Sequence, residues 1–155
     1  MIVSLAPGNA DDLDSVMEVM NSAFPARFGE AWTRSQCAGI LPMTGVRLVI
    51  ARDGDDRSLG FSLYRTVAGD SELLLLAVGA DAQRNGIGRR LLDQFIQDSK
   101  ENGAERIHLE VRDGNVATRL YESAGFAQAN RRRNYYRGTG GAQFDALTFV
   151  LTAQG

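Results

Sequence analysis

The segment Gln83-Arg84-Asn85-Gly86-Ile87-Gly88 follows an apolar run, residues 73–78, and leads into apolar residues at helical spacing, Ile87, Leu91, Leu92, Phe95 and Ile96. A loop in that position has the makings of a phosphate cradle. The strand ends, small residues let the backbone approach a ligand, and the first helical turn offers N–H groups at the positive end of a helix dipole. Gly86 and Gly88 carry no Cβ to hold a pyrophosphate off those amides. Arg84, Arg89 and Arg90 put fixed positive charge around the turn, which suits a polyanion such as a nucleotide diphosphate. Two common nucleotide motifs do not fit. A Walker loop needs Lys-Ser or Lys-Thr after its last glycine and a dinucleotide fingerprint needs a third glycine, and neither is present.

Periodicity gives the elements that must position this loop. Residues 2–5 predict a first strand, and Asn9 or Asp11 can cap a helix whose apolar face carries Leu13, Val16, Met17 and Met20 and which stops at Phe24-Pro25. A short helix is expected over 30–40, then a strand over 46–51 and a turn at Asp53-Gly54-Asp55. Residues 59–67 and 72–78 read as antiparallel strands joined near Gly69-Asp70, and the helix from about Gly86 stops at Asn102-Gly103. Residues 106–112 alternate, with Ile107, Leu109 and Val111 on one face and His108, Glu110 and Arg112 on the other. Residues 115–124 place Val116, Leu120, Tyr121 and Ala124 at helical spacing, and 126–136 with 144–152 close the sheet as a hairpin across 138–141. The class is α/β (α+β): a central mixed sheet of six to seven strands, flanked by about four helices, with a βαβ unit after residue 72.

Composition narrows the partners. At 155 residues the chain is expected to form a single domain over 1–155, burying roughly two thirds of its unfolded surface. A net charge of -2 and a pI near 5.4 argue against non-specific nucleic-acid binding. The start, Met1-Ile2-Val3-Ser4-Leu5, lacks the pattern of a signal peptide, and the longest apolar run is far below the roughly 20 residues a membrane span needs, so a cytoplasmic protein without membrane attachment is expected. One cysteine, Cys37, and one histidine, His108, leave no metal site to expect.

The run Ala77-Val78 with Gln83-Arg84-Asn85-Gly86-Ile87-Gly88-Arg89-Arg90-Leu91-Leu92 resembles the acetyl-CoA signature Q/R-x-x-G-x-G/A of the GNAT acyltransferase superfamily. The resemblance implies acetyl-CoA as cosubstrate. Its pyrophosphate would lie on the amides of Arg84, Asn85, Gly86, Ile87, Gly88 and Arg89, beside Gln83, and its pantetheine arm would pair like a strand with the backbone of Leu76, Ala77 and Val78. Further segments, Leu109-Glu110-Val111-Arg112, Leu120-Tyr121-Glu122-Ser123-Ala124-Gly125-Phe126, Arg132-Arg133-Asn134-Tyr135-Tyr136 and Asp145-Ala146, resemble RimI-type enzymes, which acetylate the amino-terminal alanine of a small-subunit ribosomal protein. The likeness covers about residues 60–150. Upstream, Phe24-Pro25 and Trp32-Thr33 echo an F-P-W-S segment, with residues 26–31 between them.

Acetyl transfer to an amine needs a neutral nucleophile, an oriented thioester and a proton for the leaving thiolate. An α-amino group has a pKa of about 8, so a base must take its proton at neutral pH. Glu110, on the polar face of its strand, is the candidate base, directly or through one water; otherwise it is a solvated glutamate. Tyr121 is the candidate acid by its place in the L-Y-E-x-x-G-F motif; otherwise it is a core tyrosine of its helix. The resemblance assigns Asn115 to the cofactor, although its spacing to Tyr121 is one residue short. Trp32, Asn134, Tyr135 and Tyr136 are the candidates for the acceptor site. Acceptors in play are a protein N-terminus, a protein lysine or a small-molecule amine, and a CoA-binding protein without catalysis is the alternative of another class. Arg131-Arg132-Arg133 would be an acidic-substrate patch or a solvated edge, and His108, which shares the polar face with Glu110, would tune the base or, as favoured, be a surface residue.

Overall fold

The computed structural model describes residues 2–151. Within them, seven strands form one sheet in the order β1-β2-β3-β4-β5-β7-β6, with four α-helices. The strands are β1 (Ser4–Gly8), β2 (Val46–Arg52), β3 (Ser58–Val67), β4 (Asp70–Val78), β5 (Arg106–Arg112), β6 (Phe126–Arg137) and β7 (Gln143–Leu151). Thr152, expected at the end of the last strand, lies outside the described residues. Only β4 and β5 pair in parallel, through the crossover helix α3 (Ile87–Glu101). Every other neighbouring pair is antiparallel.

Two cores sandwich the sheet. On one face Ile87, Leu91, Leu92 and Phe95 of α3 pack on Leu73, Ile107, Leu109, Val111 and Phe149. On the other, Val16, Val19 and Met20 of α1 (Leu13–Ala23) and Cys37 of α2 (Arg34–Ile40) pack on Leu48, Ile50, Phe61, Leu63 and Leu75. Each such large apolar side chain contributes about 1.5–3 kcal/mol on burial. α3 is further fixed by polar contacts, the Tyr64 hydroxyl donating to Asp98 Oδ2 at 2.8 Å and Ser71 to Ser99 at 2.8 Å. No helix among the described residues is long and apolar enough to cross a membrane.

Several boundaries differ from expectation. β1 pairs from Ser4 to Gly8, leaving Ile2 exposed, because Asn9 then caps the turn into α1. α2 starts at Arg34, where Thr33 and Gln36 form a capping box, so Glu30 stands in the preceding loop. α4 (Thr118–Ser123) is shorter than the 115–124 pattern, and Val116 is 86% exposed. The Asn115 carbonyl oxygen of the side chain accepts from the Ala117 N–H and holds the preceding turn. His108 is buried. Its ring bonds Asp70, which replaces the water a surface position would have supplied.

Two features of the sheet open it at one end. β4 carries an extra residue, Leu74, since Leu63 pairs with Leu75 and Tyr64 with Leu73. β4 and β5 pair only as far as Leu73 and Leu109, after which β5 continues along β7 to Arg112. At the same end the 26–28 turn touches the β6–β7 connection backbone to backbone. A Cβ on Gly29, at φ +70°, would lie 2.0 Å from the Arg137 carbonyl oxygen, and one on Gly138 would lie 1.7 Å from that of Arg27.

Such contacts leave no space for a methyl group. Gly138→Ala is expected to lower stability by about 2 kcal/mol or more, whereas Gly54→Ala, whose added Cβ meets nothing within 4 Å, leaves it unchanged. Thermal unfolding of both variants checks this, and equal melting temperatures would contradict the close approach.

Candidate active site

Short local bonds shape the turn between β4 and α3. Ala80–Ala82 makes one 3-10 turn. The side-chain amide of Gln83 donates to the Val78 carbonyl at 3.1 Å, and that of Asn85 to the Ala82 carbonyl at 3.0 Å. Arg84 and Gly86 have positive φ, +66° and +74°. Gly86 thus supplies a left-handed conformation, and a Cβ there would meet nothing within 4 Å. No side chain caps α3. Its first-turn N–H groups at Ile87, Gly88 and Arg89 are therefore left for a ligand or water. Gly88 has a different setting: a Cβ there would make ordinary contact with Leu120 at 3.4 Å and Val78 at 3.7 Å, at the seam between α3, α4 and β4.

The arginines around this turn are partly committed. Arg89 pairs with Asp93 at 2.9 Å and donates to Ser123 at 3.2 Å. Arg90 reaches the Val3 carbonyl, away from the turn. Arg84 enters no ion pair among the described residues.

Next to the turn, the separation of β4 from β5 leaves the β5-facing edge of residues 74–78 without a strand partner. Leu76 and Val78 are half-buried against the first core and Ala77 is buried in the second. That edge leads to the turn before α3 and is open to an extended chain that could bond it.

One residue beyond the last β4–β5 pair stands Glu110, its side chain 17% exposed, with Arg132 Nε 2.9 Å from Oε2. The Thr148 hydroxyl, from its register partner on β7, lies 3.4 Å from the same oxygen. Tyr121 is buried and edge-on to Phe126, with centroids 6.1 Å apart. Its hydroxyl makes no hydrogen bond among the described residues. Burial, reinforced by Tyr136 and Glu30, holds its phenol well above the ordinary tyrosine range. Tyr136 is also pushed up, first by burial, then by Glu110 and Glu30. These mutual influences put Glu110, Tyr121, Tyr136 and Glu30 in one electrostatic neighbourhood.

The acceptor-side residues divide. β6 loses register between Arg132 and Tyr136, where Asn134 takes φ +54° and its N–H bonds Asp145 Oδ1 at 2.9 Å. That irregularity turns Tyr135, 49% exposed, perpendicular to Tyr136 at 5.1 Å. Asn134 thus shapes the wall through its backbone. Trp32 packs against the second core, as a structural residue would. The arginine run is not freely solvated, since Arg131 bonds Asp113 and Asp145 at 2.8 and 2.6 Å and Arg132 forms an ion pair with Glu110.

Glu30 is the residue that sequence reasoning missed. Its side chain, 9% exposed, sits 3.0 Å from Arg112 Nε, itself 10% exposed. Its second oxygen accepts from Asn115 Nδ2 at 2.6 Å, across 85 residues of sequence. The amide of Asn115, expected against the cofactor, is thus used at both ends within the chain. Arg112 also stacks on Phe28 at 3.7 Å, and Phe28 meets Phe144 edge-on at 5.4 Å. The Arg112 Nε contact is Coulombic, because its hydrogen-bond geometry to Glu30 is poor. No local sequence signal marks this partnership, because Glu30 lies 82 residues before Arg112.

The family model for the acetyltransferase (GNAT) family matches residues 13–126. The ribosomal protein bS18-alanine N-acetyltransferase of Salmonella typhimurium is 41% identical over 98 residues, covering 63% of this chain and 66% of that protein. Its Escherichia coli K12 counterpart is 41% identical over 92 residues, covering 59% and 62%. The matches span a little under two thirds of these relatives' own length. A crystal structure of the ribosomal-protein-S18-alanine N-acetyltransferase from Escherichia coli superposes with a TM-score of 0.86 at 27% identity, over 99% of this chain and 97% of that one. Arabidopsis thaliana NAA60 in complex with acetyl-CoA gives 0.83 at 20% identity, over 99% and 100%, a likeness of fold.

Breaking one side of a buried ion pair strands the other charge. Glu30→Ala is expected to cost about 3 kcal/mol in urea unfolding, and Glu30→Ala combined with Arg112→Met to cost less than the single change. A double variant at least as unstable would mean that the pairing is not what holds the loop.

Proposed function

Because this chain belongs to the GNAT acetyltransferase family, we propose that it is an acetyl-CoA-dependent N-acetyltransferase acting on a primary amine, first the N-terminal α-amine of a protein beginning with alanine. The observation that carries the reading is the end of β4–β5 pairing at Leu73 and Leu109, followed along β4 by the uncapped start of α3. Acetyl-CoA would supply an activated acetyl group as its thioester. The amides of residues 84–89 would hold its diphosphate, with Gly86 keeping the approach clear. The free edge of Leu76, Ala77 and Val78 would take the pantetheine arm as an added strand, and the Gln83 bond to the Val78 carbonyl would have to open or share that acceptor.

In this reading Glu110 takes a proton from the acceptor ammonium, directly or through one water. Arg132 and Thr148 fix the carboxylate for that step. The amine attacks the acetyl carbon as the carbon–sulfur bond breaks, and Tyr121 gives its proton to the sulfur. A phenol held protonated by burial is suited to donation and unsuited to act as base. Tyr135 and Tyr136 wall the acceptor side, while the loop anchored by Glu30 faces them. Transfer is direct, since Cys37 is buried with its thiol pushed up by desolvation and so offers no nucleophile. The bS18-alanine N-acetyltransferases at 41% identity support the alanine acceptor. The described sheet and helices would act as one catalytic domain.

The test is thiol release from acetyl-CoA with peptides beginning in alanine, serine or methionine, alongside free lysine and polyamines. The alanine peptide should turn over fastest. Turnover confined to lysine or small amines would reject the protein N-terminus. CoA binding with no release for any amine would leave a non-catalytic binder.

Glu110→Gln and Tyr121→Phe should each lower kcat about 10²-fold or more, with circular dichroism and acetyl-CoA affinity retained. Indifference to both changes would remove the assigned roles. Because the Tyr121 phenol is raised, its donor form persists as pH rises, and the unaltered enzyme should show no alkaline loss of rate from this group up to about pH 10. A loss beginning near neutrality that disappears in Tyr121→Phe would contradict that.

A further inference from the structure

The polar face of β4 and β5 carries titratable groups that acetyl transfer, as described, does not use. Glu72 and His108 are partners in the parallel register, Asp70 pairs with Arg106 one pleat earlier, and Glu110 follows His108 on the same face. His108 is 9% exposed, and its Nε2 lies 2.8 Å from Asp70 Oδ2. Asp70 is about half exposed, 49%. A row therefore runs from the enclosed Glu110, past Glu72 and His108, to a carboxylate in solvent. Neighbours two residues apart on a strand lie about 7 Å apart, a span that one water between polar side chains could bridge. Burial raises the Glu72 carboxyl above its ordinary range, His108 opposes that, and Glu110 and Asp70 reinforce it.

Arg106 lies 3.7 Å from Asp70. Arg132 of β6 sits on Glu110 and narrows its direct exit to water. Arg65 of β3 is the register partner of Glu72, but its Nε donates to the Thr44 carbonyl at 3.1 Å. β7 sets Thr148 and Val150, neither titratable, opposite Glu110 and His108.

We propose that His108 is a positioning residue for proton exit, which with Glu72 and Asp70 passes the proton taken up by Glu110 to solvent. The proposal rests on the acetyl-transfer reading. Conversion of an ammonium and a thioester into an amide and a thiol forms a carbon–nitrogen bond and breaks a carbon–sulfur bond. The nitrogen gives up two protons. One replaces, in net, the proton that Tyr121 delivers to sulfur, and the other must leave the site before Glu110 can act again. Histidine suits the relay because it binds and releases a proton near neutral pH and presents a nitrogen on each side of its ring.

His108→Gln keeps a donor for Asp70 and removes proton uptake and release. Thiol release followed across pH should give a kcat lowered about tenfold, an unchanged KM for acetyl-CoA, and recovery on adding imidazole, which should not stimulate the unaltered protein. An unchanged kcat, or a loss that imidazole does not repair, overturns the relay. A second measurement needs no turnover. His108 is the sole histidine, so its ring-nitrogen resonances read this site directly; they should move on Glu72→Gln, and fixed resonances would overturn the coupling. If the unaltered protein releases no thiol with any amine, the acetyl-transfer reading falls and takes the relay with it.

Discussion

Leu74 has no partner on β3, and that single extra residue bends β4 away from β5 beyond Leu73 and Leu109. Parallel pairing needs both strands to advance at the same rise. Once β4 is offset, β5 keeps its bonds by following β7, and the other side of β4 is left with an unpaired edge. In most sheets such an edge is a liability. Here it lies inside the protein, flanked by both cores and ending at the start of α3, where helical N–H groups also lack partners. One irregularity therefore leaves backbone donors and acceptors of β4 without a strand partner and, after the next turn, the uncapped amides of α3.

The end of the sheet beside Tyr136 depends on a different constraint, the meeting of two loops far apart in sequence. Gly29 and Gly138 let the backbones touch, and the Glu30 ion pair with Arg112 ties the upstream loop to the end of β5. Burying two charges is costly in itself, and the surrounding groups limit that cost. Asn115 donates to the free oxygen of Glu30 and Phe28 covers the guanidinium. The result is a fixed wall facing Tyr136 and Tyr121, built from polar groups that hold position more than they add stability.

Local chemistry made much of the fold legible. Strict alternation marks β5 to the residue, and an apolar stripe between a glycine turn and Asn102-Gly103 marks α3 to within a residue. The first turns of α2 and α4 were misplaced for a shared reason. Glu30 and Asn115 can begin helices as far as propensity goes, yet both are drawn into bonds with each other, which outweigh one more turn. Val116, expected on an apolar face, is exposed as a consequence. His108 was expected at the surface because nothing nearby in sequence marks Asp70 as its partner.

The sequence by itself determined the order of elements, the glycine turn that starts α3 and the polar face carrying Glu110, since each is set by neighbours within a few residues. It also supplied a tyrosine on α4 whose type suits proton donation. Tertiary structure decided which charges are free to act. It bound Arg89, Arg90 and Arg131 to other partners, set Arg132 on Glu110, and brought Glu30 to Arg112. Charges pair through space, and the distances that rule them are fixed only when strands and loops remote in the chain are packed side by side.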